Sequence, residues 1–235
     1  MAVCAQKRDQ AAVKAFSLSA LCLAALIGGC AGALVPEWQS DAHVALEKFT
    51  QAYLEGDTRL AERYFAEARM SISATGRLDL AARAELIRCA LAAASLNDEP
   101  CADFEALRNY ATAEEKAYAQ FLAGHWQDLR ARDLPEPYRG VATGGSEAPQ
   151  NREIGRIEDP VSRLVAAGAA FRAGRLSPVG VATAIDTASA QGYRRPLLAY
   201  LSVQAKLAEQ AGDSAAMETI RRRIELVSQP QPDGR

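Results

Sequence analysis

The stretch YLEGDTRLAERYFAEARMSI, residues 53–72, decides the fold because it holds the end of one helix, a turn and a second helix. Upstream of Gly56-Asp57, apolar residues recur at Leu46, Phe49 and Tyr53, the i, i+3 and i+7 positions of one helical face. Downstream, the residues predicted to share a second face are Ala61, Tyr64, Phe65, Ala68 and Ile72. Ser40 or Asp41 is expected to cap the first helix, and Gly76 to end the second. The pattern predicts an antiparallel helix pair.

Outside this pair the same periodicity continues along the chain. It predicts helices from about Asp79 to Ala94, in a short segment after Pro100, and after Thr112, where Glu115 completes a capping-box pattern on a helix that includes Trp126. The C-terminal part of the chain is predicted to form four further helices: Val161 to Gly174, Ser177-Pro178 to Gln191-Gly192, Leu197 to Ala211, and Ser214 to Val227. No segment alternates as a strand does. The expected fold class is all-α, with an N-terminal helical region over 40–133 and a C-terminal one over 161–228.

Residues 134–160 differ in character from both regions. They contain four prolines and four glycines and show no apolar periodicity. We expect them to form a loop or linker, open to protease. Residues 229–235 are expected to be a disordered tail.

The amino terminus predicts export. Lys7, Arg8 and Lys14 precede thirteen uncharged residues, at about 1.5 Å per residue too short to span a bilayer core of about 30 Å. The residues that follow, Ile27-Gly28-Gly29-Cys30, resemble the lipobox of bacterial lipoproteins. The resemblance implies removal of residues 1–29, acylation of Cys30, anchoring to the lipid bilayer, and a tether over 30–39. Ala31 in place of Asp points to the outer membrane, facing the periplasm; the alternative is a plain secretory signal.

Two cysteines remain in the chain once Cys4, Cys22 and Cys30 are set aside. Cys89 and Cys101 are separated by ALAAASLNDEP, a helix end followed by a turn. In an oxidising compartment this spacing favours a disulfide, worth about 3 kcal/mol by loop-closure entropy. The alternative is a pair of separate buried thiols, held apart by the direction of the helix.

The helix pair of the opening stretch has the spacing G-x4-A-x3-F-x2-A in Gly56, Ala61, Phe65 and Ala68. This resembles the tetratricopeptide repeat. A second turn at Gly212-Asp213 is similar, although Met217 and Arg221 replace the expected small and aromatic residues. The alternative is an irregular helical bundle. In tetratricopeptide proteins the first helix of each pair lines a groove, which implies as partner-binding residues His43, Thr50, Tyr53, Ser202, Lys206 and Glu209.

The residue content narrows the function. Removing residues 1–29 changes the formal charge from -2 to -4, without the basic surface that nucleic acid requires. His43 and Glu47 lie one turn apart and are expected to be a solvated pair, and no metal site, cofactor motif or catalytic constellation is recognised. The clusters Arg194-Arg195 and Arg221–Arg223 are expected to be helix-surface cations, with an anionic partner as the alternative.

Two functions remain after these exclusions. The first is a lipid-anchored helical scaffold that binds a protein of the cell envelope and has no catalytic activity. The second is an envelope enzyme or small-ligand binder whose site lies between the two helical regions, with residues 134–160 as a lid. A deep pocket with convergent polar groups would favour the second, and an open groove the first.

Overall fold

Helices begin in this chain where the sequence supplies a cap. In the computed structural model, which describes residues 35–143 and 147–229, the Asp57 side chain accepts a hydrogen bond from the Leu60 amide at 2.9 Å. The Thr112 and Glu115 side chains bond to each other's backbone amides at 3.1 and 2.8 Å, so the predicted capping box is confirmed. Ser177 caps a helix whose first residue is Pro178, again as predicted.

The described residues contain eleven α-helices and no strand, which confirms the all-α prediction. The helices are α1 (Glu37–Glu55), α2 (Thr58–Ser73), α3 (Leu78–Ala94), α4 (Ala102–Leu107), α5 (Ala113–Leu122), α6 (Glu136–Thr143), α7 (Glu147–Arg156), α8 (Pro160–Arg172), α9 (Pro178–Gln191), α10 (Arg194–Gln210) and α11 (Ser214–Ser228). Short 3-10 turns occupy Arg108–Tyr110 and Ala131–Asp133. The arrangement is one of packed helices and hairpins.

The two Gly-Asp turns have the same backbone geometry. Gly56 has a φ of +92° and Gly212 a φ of +68°, a region that L-residues rarely adopt. In each turn the following aspartate caps the next helix, Asp57 for α2 and Asp213 for α11. The predicted repetition of the turn is therefore present, and Ala61, Phe65 and Ala68 are buried on the predicted face of α2.

Helix α8 lies at the centre of the core. Every residue from Leu164 to Ala170 is buried, and the helix packs against α3, α5, α6, α7 and α9. Its closest neighbour is α3: a Cβ built on Gly168 would lie 1.9 Å from the carbonyl oxygen of Ala93. Glycine at this position lets the two backbones meet. From Trp38 onward the described helices form one compact unit.

Two sequence expectations differ from the structure. The first helix begins at Glu37, so Ser40 and Asp41 lie inside it, as do residues 37–39 of the expected tether. Helix α5 ends at Leu122, before Trp126, whose indole N–H donates instead to the Phe121 carbonyl at 2.8 Å. At the C-terminus, α11 extends to Ser228, and 230–235 lie outside the described residues.

The expectation of a loop over 134–160 is wrong. The segment contains α6 and α7, and the apolar residues it contributes to the core are Leu134, Tyr138, Val141, Ile154 and Ile157. Its prolines stand at or before helix starts, where a missing amide costs no hydrogen bond. A long structureless linker between two helical regions is therefore absent from the described parts, 134–143 and 147–160.

The predicted signal peptide, lipobox and Cys30 lie outside the described residues. Within them, no helix is both long and apolar enough to cross a bilayer.

Candidate functional site

One face of α3 gathers the groups of the candidate site. Glu85, Arg88, Cys89 and Ala92 follow one another at i, i+3, i+4 and i+7, so they share one side of the helix. That side faces α4, which packs directly on α3. Glu85 is only 4% exposed, the most buried of the Asp, Glu, Lys, Arg and His side chains in the described part of the chain.

A disulfide links this face of α3 to the segment before α4. Cys89 and Cys101 are bonded, with Cα atoms 5.7 Å apart, which confirms the predicted pair and excludes the alternative of separate thiols. The bond holds the segment before α4 over the α3 surface. Under it lies a half-open cavity of about 110 Å³, here called the Glu85 cavity. Its lining residues are Glu85, Arg88, Cys89, Ala92, Glu99, Pro100, Cys101, Ala102, Asp103 and Phe104.

Few polar groups near the Glu85 carboxylate offset the cost of burying its charge. Arg69 of α2 lies 3.5 Å away, but its side chain is 59% exposed, and no described residue donates a hydrogen bond to the carboxylate. Burial raises the pKa of Glu85, and the nearby Asp103 and Glu62 raise it further, whereas Arg69 and Arg88 lower it. The net direction is upward, so burial outweighs the cations.

The Arg88 side chain already contacts several other side chains around the cavity. Its guanidinium lies 5.1 Å from the centre of the Phe65 ring and pairs with Glu62 at 3.6 Å. Its distance to Asp103 is 3.9 Å. In the described chain no cation lies within 4.0 Å of Glu99, the third carboxylate of the lining. The cavity therefore carries three acids against one engaged arginine.

A second cavity opens on the opposite side of Glu85. It measures about 220 Å³ and is lined by α2, α3 and Leu107, with Arg69 and Arg77 as its cations. Arg77 is engaged with Asp79 at 2.6 Å. Glu85 therefore lines two cavities that are open to solvent, and the charged residues of the two cavities differ.

The chemistry open to the Glu85 cavity is binding of a cationic group. Among the described residues no three His, Cys, Asp or Glu side chains converge closely enough to hold a metal ion. An organic cation needs no such convergence, because a single buried carboxylate can serve as its counter-ion and apolar walls can contact its carbon chain.

The residues predicted to bind a partner lie on α1 and α10 but not in a shared groove of exposed side chains. His43 is exposed and pairs with Glu47 at 3.3 Å. The Thr50 hydroxyl donates to the Leu46 carbonyl at 2.9 Å, and Ser202 does the same to Leu198 at 2.8 Å. Lys206 and Glu209 are exposed.

Tyr53 is the exception, since it is buried. Arg195, at the start of α10, lies with its guanidinium 4.3 Å from the centre of the Tyr53 ring. The same guanidinium donates to the Tyr53 carbonyl at 2.6 Å and to the Thr58 hydroxyl at 2.8 Å. Tyr53 is therefore part of the contact between α1 and α10 rather than of an open groove.

Arg195→Ala is expected to lower the free energy of unfolding by about 2 kcal/mol, because it removes a cation–π contact and two hydrogen bonds from a charged donor. The measurement is chemical denaturation of the full chain. Arg222→Ala serves as the control: Arg222 is 76% exposed and, among the described residues, pairs only with Glu218, so its loss should cost no more than about 0.5 kcal/mol. Equal effects of the two substitutions would contradict the assignment.

Three further arginines of the two basic clusters also have local partners. Arg194 donates to the carbonyls of Val227 and Gln229, both at 3.2 Å, and so holds the end of α11. Arg221 and Arg222 pair with Glu218. These contacts support the interpretation of the clusters as helix-associated cations.

Comparison with known proteins gives no match to a family model, a curated sequence or a solved structure. Sequence reasoning also missed Glu85. A signal was present: Glu85 lies one turn before Cys89, so any disulfide to Cys101 brings the following segment over the face that Glu85 occupies.

Proposed function

We propose that the chain is an exported lipoprotein, anchored to a membrane through Cys30, whose helical body binds another protein of the cell envelope. The observation that carries the binding part is the Glu85 cavity: a buried carboxylate beside a half-open space. Perturbed ionisable groups in concave sites are the usual mark of a binding site. The outer membrane, facing the periplasm, is the proposed location.

The disulfide supports the compartment. Disulfides persist in oxidising compartments such as the bacterial periplasm and are rare in the cytosol, so the Cys89–Cys101 bond agrees with export. The lipobox resemblance around Cys30 supplies the anchor. Seven residue steps separate Cys30 from the start of α1 at Glu37.

Two changes test the proposal in intact cells. Cys30→Ala is expected to release the protein from the membrane fraction and to abolish labelling by a clickable fatty acid. A photo-crosslinking amino acid at Ala102, an exposed residue on the rim of the Glu85 cavity, is expected to give one discrete adduct with an envelope protein.

Glu225 provides the matched control position. It is exposed on α11, far along the chain from the cavity, and the same crosslinker there should give no such adduct. Membrane association that survives Cys30→Ala would refute the anchor. Adducts of equal yield from Ala102 and Glu225, or none from Ala102, would refute partner binding at the cavity.

A further inference from the structure

The charge and shape of the Glu85 cavity define what it can hold. Glu85, Glu99 and Asp103 contribute carboxylates, and the one cation of the lining, Arg88, pairs with Glu62 at 3.6 Å and with Asp103 at 3.9 Å. Glu85 has the mostly exposed Arg69 at 3.5 Å, and no cation of the described residues lies within 4.0 Å of Glu99. An anion would meet three negative groups, so the cavity favours a cation. The spread of the acids does not suit a metal ion.

The walls restrict the cation further. Ala92, Ala102, Phe104 and the disulfide provide apolar surface, and about 110 Å³ is room for several water-sized groups. A short methylene chain that ends in a compact charge matches both properties, because the chain contacts the walls and the charge reaches the carboxylate. An ammonium offers three donors to a carboxylate that accepts no hydrogen bond from the described residues.

We infer that the Glu85 cavity binds a primary alkylammonium group, with Glu85 as its buried counter-ion and Asp103 and Glu99 at the entrance. The chemistry is shared by a lysine side chain of a partner polypeptide and by a free alkylamine. The inference rests on the proposed function for the identity of the partner, but the site itself is tested separately.

The pH dependence follows from the charges around Glu85. The carboxyl must be ionised to pair with an ammonium, and its pKa is raised by burial, Asp103 and Glu62 and lowered by Arg69 and Arg88. Binding should therefore weaken as the pH falls through this raised pKa. The alkylammonium is charged at neutral pH and below, so the pH dependence of binding reports the ionisation of the carboxyl.

The experiment is a titration of the full chain followed by backbone amide NMR shifts. Nα-acetyl-lysine methylamide is expected to shift the amides of α3 and α4 around the cavity and to saturate in the millimolar range. Nα-acetyl-norleucine methylamide, which has the same four side-chain carbons but no ammonium, should not. Cadaverine is the second probe: weaker binding of cadaverine indicates a lysine side chain, and equal or tighter binding indicates a free amine.

Glu85→Gln is expected to reduce the affinity for the lysine probe at least tenfold, whereas Glu47→Gln, at an exposed surface pair, should leave it unchanged. Asp103→Asn, an exposed position that should not disturb folding, is expected to reduce it two- to threefold. Equal binding of the norleucine probe, or an affinity that Glu85→Gln and Asp103→Asn leave within experimental error, would overturn the inference.

The NMR titration and the tests in intact cells can succeed or fail independently. A specific adduct at Ala102 without lysine binding would refute the ammonium site and leave the proposed function in place. Lysine binding together with a membrane-bound Cys30→Ala protein would support the site and refute the anchor.

Discussion

Gly168→Ala should lower the free energy of unfolding by about 3 kcal/mol, although alanine is the better helix former by about 1 kcal/mol. The added Cβ would lie 1.9 Å from the Ala93 oxygen and 2.5 Å from the Ala93 carbonyl carbon. Both are backbone atoms of α3, so relief requires the two central helices to move apart. That movement opens the core around Leu164 to Ala170.

Gly155→Ala is the matched control. Gly155 is exposed on α7, and a Cβ there meets no atom within 4 Å. Helix propensity alone should then act, raising the free energy of unfolding by up to about 1 kcal/mol. Thermal or chemical denaturation of the two variants should show changes of opposite sign in the free energy of unfolding, although both replace glycine with alanine. A Gly168→Ala protein as stable as the parent would show that α3 and α8 do not meet closely at this point.

The helical pattern was predictable because caps and turns are local. Thr112 with Glu115, Ser177 with Pro178, and the two Gly-Asp turns fix helix ends through residues a few positions apart. What the pattern did not predict is how completely α8 is enclosed. A helix buried on several sides carries no single apolar face, so its partners cannot be read from periodicity.

The error over 134–160 has a different cause. The sequence prediction treats proline there as a helix breaker, but Pro137, Pro149 and Pro160 occupy the first turns of α6, α7 and α8, where proline is tolerated. The buried Tyr138 and Val141 of α6 are spaced i and i+3, a helical spacing that the surrounding prolines and glycines obscured. The proline and glycine content of residues 134–160 therefore gave a wrong prediction, although the positions of individual residues in that segment indicated helices.

Although Glu85 lies one turn before Cys89, its burial could not be predicted from sequence because its environment depends on three separate segments. Arg69, Arg88 and Asp103 come from α2, α3 and α4, and their approach depends on how these helices pack. An acid within the segment RAELIRC is unremarkable on an exposed helix face. The packing of α2 and α4 against α3 makes this acid buried.

The Cys89–Cys101 disulfide gives the second large expected effect. Replacing both Cys89 and Cys101 with Ala should lower the free energy of unfolding by about 3 kcal/mol, because an unfolded chain without the 12-residue link gains conformational freedom. For a chain of this size that corresponds to a fall of roughly 6–12 °C in Tm. Thermal unfolding of the full chain, with and without reductant, measures it.

Reductant supplies the control, since it should lower the Tm of the parent to that of the double variant and leave the double variant unchanged. A parent whose Tm does not respond to complete reduction would contradict a stabilising role. The loss should also reach the Glu85 cavity, because Glu99, Pro100 and Cys101 of its lining are held over α3 by this bond. Weaker binding of the lysine probe by the folded double variant is therefore expected, with Glu85 itself intact, and unaltered binding would show that α4 keeps its place by packing alone.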